Sequence, residues 1–347
     1  MKIRIAVVGL GRMGVVHAFH AREIAAADSS FELAAVVDAD AQRAAKMAGE
    51  LGAPHYFSSV ENLAAAGVAD AAVVATPTEM HRAHTQALIA AGMRVLLEKP
   101  LTESLDSDRS FAAWLDQQAP DAVMLGFQRR FDAPLIEAKK LIDEGAIGRP
   151  FKIVSVLEDS GPLPDGYQSS GLLTDMAVHN VDEVRWLTGQ TPERAAAIGF
   201  NLSSHKLTTA QEDHDEALLL LWFQQDLAAR IEVSRNHRPG YRIETQIFGE
   251  EGAVHVGRFR QNKLEVVLEA FGRERPLARE AHPMRAYENG MPEFVDRYGA
   301  AYQAELAAFV ECCREDAPFP VSHRDGLAAM QVIEAAGRGS LTTAKID

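Results

Sequence analysis

Residues Ile3 to Asp38, IRIAVVGLGRMGVVHAFHAREIAAADSSFELAAVVD, decide how this chain begins to fold. An apolar strand runs into a glycine-punctuated turn, then a helix, then a second apolar strand. Gly9, Gly11 and Gly14 have the G-x-G-x-x-G spacing of a dinucleotide site. There the first glycine makes the tight turn, the second lets backbone approach a pyrophosphate, and the third lets helix and sheet pack closely. Amides at the helix start then receive the phosphates. Asp38 closes the unit at the end of the second strand, 24 residues past Gly14. A carboxylate there accepts hydrogen bonds from ribose hydroxyls and repels a 2′-phosphate. The next residue is Ala39, not an arginine, so NAD is expected and NADP disfavoured.

Outward from this unit, strand and helix patterns alternate to about residue 127, as parallel βαβ architecture demands. Strands are read at Ile3–Val8, Glu32–Val37, Ala71–Ala75, Arg94–Glu98 and Ala122–Gly126. Ser58 with Glu61 has capping-box spacing, and Gly92 ends the helix that starts near Glu79. After Arg129 a helix at Pro134–Glu144 precedes strands at Phe151–Leu157, Arg194–Phe200, Glu216–Phe223, Ala228–Ser234, Tyr241–Phe248, Ala253–Val256 and Leu264–Leu268. A helix at Leu172–Leu187 interrupts them, and helices at Tyr298–Arg314 and Arg324–Arg338 follow. The expected fold is an α/β Rossmann domain over 1–127, then an α+β domain over 128–347 with an open, largely antiparallel (mixed) sheet.

Composition narrows the function. Among 347 residues, 47% are hydrophobic and 24% charged, an ordinary globular balance with material for two domains. The net charge of -14 lacks the basic face a nucleic-acid partner needs. The apolar run Ala217–Phe223 is too short to span a membrane. Strand pattern begins at the N-terminus without signal-peptide features, and the two adjacent cysteines, Cys312 and Cys313, suit a reducing cytoplasm. His81 and His84 lack an acidic or cysteine partner motif, so no metal site is expected. Asp213-His214-Asp215-Glu216 reads as a solvated turn, and His20 as packing or surface.

Two elements can carry chemistry. Asp175 and His179 are four apart in a helical pattern and so share a face. Alcohol oxidation needs a base for the hydroxyl proton, and histidine suits neutral pH. Glu98-Lys99-Pro100 leaves a strand at the ligand-binding edge of the sheet, where an ammonium can stabilise a developing alkoxide. Each element alone has an ordinary structural reading: a solvated helix face, and a surface lysine beside a strand-ending proline.

Together with GLGRMGVVHA at 9–18, ATPTEMHRAHTQALIAAGMRVLLEKPL at 75–101, GFQRRFD at 126–132, TDMAVHNVDEVRWL at 174–187 and GYRIETQIFGEEGAV at 240–254, they give a chain that resembles the Gfo/Idh/MocA oxidoreductases, and among them the inositol dehydrogenases. The resemblance implies Lys99, Asp175 and His179 as the catalytic group, with His179 the proton acceptor. It implies that Gly9, Gly11, Arg12, Met13, Asp38, Thr76, Pro77, His81 and Glu98 line the cofactor. Tyr241 matches a substrate-pocket tyrosine, and Glu158 stands where one branch has arginine. The implied reaction is NAD-dependent oxidation of a ring hydroxyl of a cyclic polyol or sugar to a ketone, by a homo-oligomer (dimer or tetramer). Alternatives on the same fold are a keto-sugar reductase, a sugar-nucleotide dehydrogenase, or a non-catalytic NAD-binding regulator. The loop Ser160–Gln168 is rich in glycine and proline, a composition compatible with closing over substrate, and the sequence does not decide whether it closes.

Overall fold

A computed structural model describes residues 2–161, 170–202, 213–257, 265–285 and 293–339. Two compact units emerge: Met1–Phe131 with Tyr287–Leu327, and Asp132–Ala286 with Ala328–Asp347. The first contains β1 (Ile3–Val8), α1 (Arg12–Ala27), β2 (Phe31–Val37), α2 (Ala41–Leu51), β3 (His55–Phe57), α3 (Val60–Ala66), β4 (Ala71–Val74), α4 (His81–Ala90), β5 (Arg94–Glu98), α5 (Leu105–Gln118) and β6 (Val123–Gly126). All its strand pairings are parallel, in the order β3-β2-β1-β4-β5-β6. β4 and β6 are buried at every position, which explains why they read as continuous apolar runs without alternation. The order reverses between β1 and β4, where open α/β sheets bind ligands beyond the carboxyl ends of strands.

In the second unit are α6 (Ala133–Asp143), β7 (Pro150–Glu158), α7 (Val178–Thr188), β8 (Arg194–Phe200), β9 (Glu216–Trp222), β10 (Ala228–Ser234), β11 (Arg242–Gly249), β12 (Gly252–Val256), β13 (Glu265–Gly272) and β14 (Pro276–Pro283). Its sheet runs β14-β13-β12-β11-β7-β10-β9-β8 and is open and mixed: β7 and β10 pair parallel, every other pair antiparallel. β9 alternates half-buried and buried along its length, the period-two signature of a sheet with one covered face. The chain ends in α8 (Phe294–Glu315) and α9 (His323–Arg338).

Several elements differ from the sequence reading. β3 is only three residues long and β14 is mostly exposed, with two prolines and Arg279, Glu280 and His282 along it, so neither shows an apolar pattern. The cap of α3 is Ser59, whose hydroxyl accepts from Asn62 N, and not Ser58. α8 packs on α1, β1 and β5 of the first unit, so the chain from Tyr287 to Leu327 is grouped there instead of with the rest of 128–347. Asp215 is buried, and Asp213 Oδ1 accepts from Leu172 N at 2.7 Å, so this acidic cluster anchors backbone and is not a solvated turn. His20 is packing, fully buried on α1.

Asp108 on α5 secures the chain just beyond the Lys99 turn. Its Oδ1 accepts from Thr102 N at 2.7 Å and Thr102 Oγ1 at 2.6 Å, while Oδ2 is buried without a hydrogen bond. Burial, the largest influence, pushes this carboxyl up to about 6 from 3.8. The folded state therefore holds the proton more tightly than the unfolded one. The stability tied to it is fully present below pH 3.8 and is lost as pH rises through about 6. Two pKa units correspond to roughly 3 kcal/mol. Asp108→Asn keeps the acceptor and removes the charge, so its melting temperature should fall less than wild type's between pH 4 and 7 (approximate limits). Identical pH dependence in the two proteins would contradict this assignment.

Candidate active site

At the nucleotide end of the first unit, each glycine meets a different constraint. Gly9 has φ +87, and a Cβ there would lie 2.7 Å from Ala75 O. A Cβ on Gly14 would lie 1.7 Å from Gly9 O, so only glycine permits this contact. Gly11 is exposed and faces open space, with nothing within 4 Å of where a Cβ would stand. The helix it starts has no side-chain cap, leaving first-turn amides for an anion. This cradle fits a pyrophosphate.

Arg12 is exposed, its guanidinium 4.8 Å from the centroid of the Phe294 ring, and Met13 is half-buried. Asp38 Oδ2 accepts from Leu10 N at 2.9 Å and Oδ1 from Asp40 N at 2.9 Å, fixing the carboxylate at the end of β2. Arg43 Nη1 lies 3.4 Å from Asp38 Oδ2. Thr76 is half-buried and Pro77 exposed after β4, and Thr76 Oγ1 meets His84 Nδ1 at 3.2 Å.

His81 and Glu98 are built in more deeply than their neighbours. His81 is buried, with Nδ1 at 2.9 Å from Pro100 O and Nε2 at 3.0 Å from Thr76 O. Both partners are acceptors, so a neutral ring donates to one at a time. Burial, the largest influence, pushes its pKa below the usual histidine value, which keeps it neutral near pH 7. Glu98 ends β5 with its carboxylate turned inward: Oε1 is 2.7 Å from His17 Nε2, and Oε2 accepts from Lys99 N at 3.2 Å. His17 on α1 stands edge-on to Tyr302, ring centroids 5.8 Å apart. Behind it Glu305 is fully buried, and neither oxygen has a hydrogen-bond partner. Burial and then the Glu98 charge raise its pKa well above the ordinary range, so the acid stays protonated. Lys99 is half-buried, and its peptide bond to Pro100 is cis.

In the second unit Asp175 sits in a single π-helical turn, Leu173–Ala177, that leads into α7. Four-residue spacing in the sequence did not reveal this turn, a feature frequent at functional sites. Asp175 Oδ2 lies 3.5 Å from Arg235 Nη2, and the guanidinium is buried just beyond β10. His179 is half-buried in the first turn of α7. Glu158 ends β7 and pairs with Arg242 Nη1 at 3.1 Å, directly opposite it on β11, and with His237 Nε2 at 3.9 Å. An arginine missing from position 158 is thus present across the strand. Tyr241 is half-buried immediately before β11. The loop Ser160–Gln168 lies outside the described residues from 162 onward. Among described residues no cluster of three metal-ligating side chains occurs, and no helix is long and apolar enough to cross a membrane.

Sequence reasoning gave no functional role to His17, Arg235 or Arg242. Only tertiary pairing identifies them: they meet Glu98, Asp175 and Glu158 at separations of 81, 60 and 84 residues.

Residues 3–129 match the model of the GFO/IDH/MocA oxidoreductase family, NAD-binding Rossmann fold, and 135–255 match the GFO/IDH/MocA C-terminal domain. The chain belongs to this family. It is 30% identical over 341 residues to an inositol 2-dehydrogenase of Rhizobium meliloti, covering 97% of each chain. It is 29% identical to the scyllo-inositol 2-dehydrogenase (NAD(+)) of Bacillus subtilis, over 90% of this chain and 86% of that one. The crystal structure of a myo-inositol dehydrogenase from Corynebacterium glutamicum superposes with a TM-score of 0.81 at 26% identity, covering 97% and 96% of the two chains.

Arg43 makes the cofactor preference testable. Its guanidinium is paired to Asp38 at 3.4 Å and to Asp40 at 3.8 Å. Asp38→Ser should raise kcat/KM with NADP by about an order of magnitude and lower it with NAD, because the guanidinium is freed for phosphate. Steady-state kinetics with both cofactors checks this; unchanged discrimination would show that Asp38 does not set it.

Proposed function

We propose that this protein is an NAD-dependent dehydrogenase that oxidises a ring hydroxyl of an inositol-like cyclic polyol to a ketone. The observation that carries the reading is the full NAD cradle, with Asp38 fixed by two backbone amides, in a chain that matches inositol 2-dehydrogenases end to end. NAD, held by the Gly9–Gly14 turn and Asp38, supplies the hydride acceptor.

The protein's own residues handle the proton and the oxygen. His179 takes the hydroxyl proton as the C–H bond breaks, a task for which imidazole is the usual side chain near neutral pH. Lys99 steadies the negative charge that develops on the oxygen. Its backbone is held by Glu98, so the ammonium starts from a fixed point. Asp175, itself paired to the buried Arg235, orients the imidazole or holds a substrate hydroxyl. Glu158, neutralised by Arg242, and Tyr241 bind further hydroxyls of the ring. The polyol is uncharged on this reading: the arginines at Glu158 and Asp175 are already engaged by carboxylates and offer poor anchors for an anionic group. A homo-oligomer, dimer or tetramer, working in the cytoplasm belongs to the same proposal, on the resemblance and the two free thiols.

His179→Ala should lower kcat by about 10²–10⁴-fold while leaving the dissociation constant for NAD within a factor of about two. Turnover and isothermal calorimetry on the same preparation check this. Wild-type turnover in the variant would remove His179 as the acceptor.

A further inference from the structure

Across β9, β10, β7 and β11 the covered face of the second sheet is apolar except at one spot. Register places Leu219, Ile231, Ser155 and Thr245 side by side on β9, β10, β7 and β11. All four are buried, none more than 2% exposed. Two hydroxyls therefore sit as a cross-strand pair in the middle of a hydrophobic row. Such groups are costly to bury unless paired.

Their partner comes from α7. Glu183, fully buried, accepts from Ser155 Oγ at 2.9 Å and from Thr245 Oγ1 at 2.6 Å, both on Oε1. Asn180, also fully buried, donates Nδ2 to Ser155 Oγ at 2.8 Å. Three directional bonds thus join one helix to two adjacent strands. Val178, Val181, Val184 and Leu187 supply the apolar contacts of the same helix, and such contacts are non-directional. Packing alone tolerates small rotations of the helix about its axis, whereas the bonds to Glu183 do not.

Glu183 lies four residues past His179, one turn further along the same helix. At a side-chain radius of roughly 5–6 Å, a helix rotation of about 10° displaces an imidazole by about 1 Å. A misplacement of about 1 Å in a reacting group can cost 10²-fold in rate. We infer that Glu183, with Ser155 and Thr245, is a positioning clamp that sets the rotation of α7 and thereby the place of the His179 ring. This inference rests on His179 being the proton acceptor.

Four variants test it, each measured for kcat, KM for the polyol, NAD affinity and melting temperature. Glu183→Gln keeps an acceptor oxygen in place and should retain kcat within about threefold of wild type. Glu183→Leu with Thr245→Val makes the spot apolar and leaves Ser155 to Asn180. It should fold and bind NAD normally, with kcat lowered about 10²-fold and KM little changed. Thr245→Val alone, nearly isosteric, should lower kcat several-fold, which keeps the test decisive should the double variant fail to fold. His179→Ala is the control. An inactive His179→Ala beside a fully active double variant, or beside a fully active Thr245→Val if the double variant does not fold, overturns the clamp and leaves the site reading intact. A fully active His179→Ala overturns both. A Gln variant as slow as the double variant shows that the Glu183 charge acts, and not its geometry, and also overturns the clamp.

Discussion

The contact between Gly9 O and the α-carbon of Gly14 leaves no room for a side chain, and much of the first unit depends on it. Because the helix start can approach the turn this closely, α1 is set at a fixed height beside β1. Its uncapped amides then face open space at Gly11, and Leu10 N reaches the Asp38 carboxylate. About one turn later the same helix delivers His17 to Glu98, whose other oxygen holds Lys99 N. One backbone contact thus governs the phosphate cradle, the ribose acceptor and the root of the lysine proposed to act on substrate. The chain maintains this arrangement at a cost: Tyr302 and Glu305 are wholly buried around the His17–Glu98 pair, and Glu305 stays protonated there because burial, and after it the Glu98 charge, disfavours its carboxylate.

The second unit follows a similar rule. Polar groups are placed where position has to be specified, and each meets a partner: the buried Glu183 two hydroxyls, the half-buried Asp175 the buried Arg235, and the half-buried Glu158 the half-buried Arg242. Pairs of this sort, buried or half-buried, contribute little net stability. Their directional bonds fix where a helix or strand end lies, which apolar packing of the same volume does less sharply.

The Rossmann unit was largely legible from residues 3–38, since glycine spacing, strand periodicity and a terminal acid are local signals. The mixed sheet was legible as a series of strands, with Arg194–Phe200 and Ala228–Ser234 read at their observed bounds. Its neighbour order was not, because β7 pairs with β10 and β11 at distances in sequence that periodicity does not encode. β14, with arginine, glutamate and proline along it, carried no strand pattern and is held by pairing to β13. In the site, residue types pointed to Lys99, Asp175 and His179, whereas the π turn at Leu173–Ala177 and the arginines facing Asp175 and Glu158 required tertiary structure. Even the roles of His81 and Glu98 change in emphasis: both hold backbone, one at Thr76 and Pro100, the other at Lys99.

The most direct measurement follows nicotinamide absorbance as the protein is mixed with NAD or NADP and, in turn, myo-inositol, scyllo-inositol and a set of aldoses. The account predicts reduction of NAD by an inositol, with NADP a poor substitute. NAD binding by calorimetry with no reduction by any inositol would contradict it, and would assign the same cradle to another sugar or to a non-catalytic role.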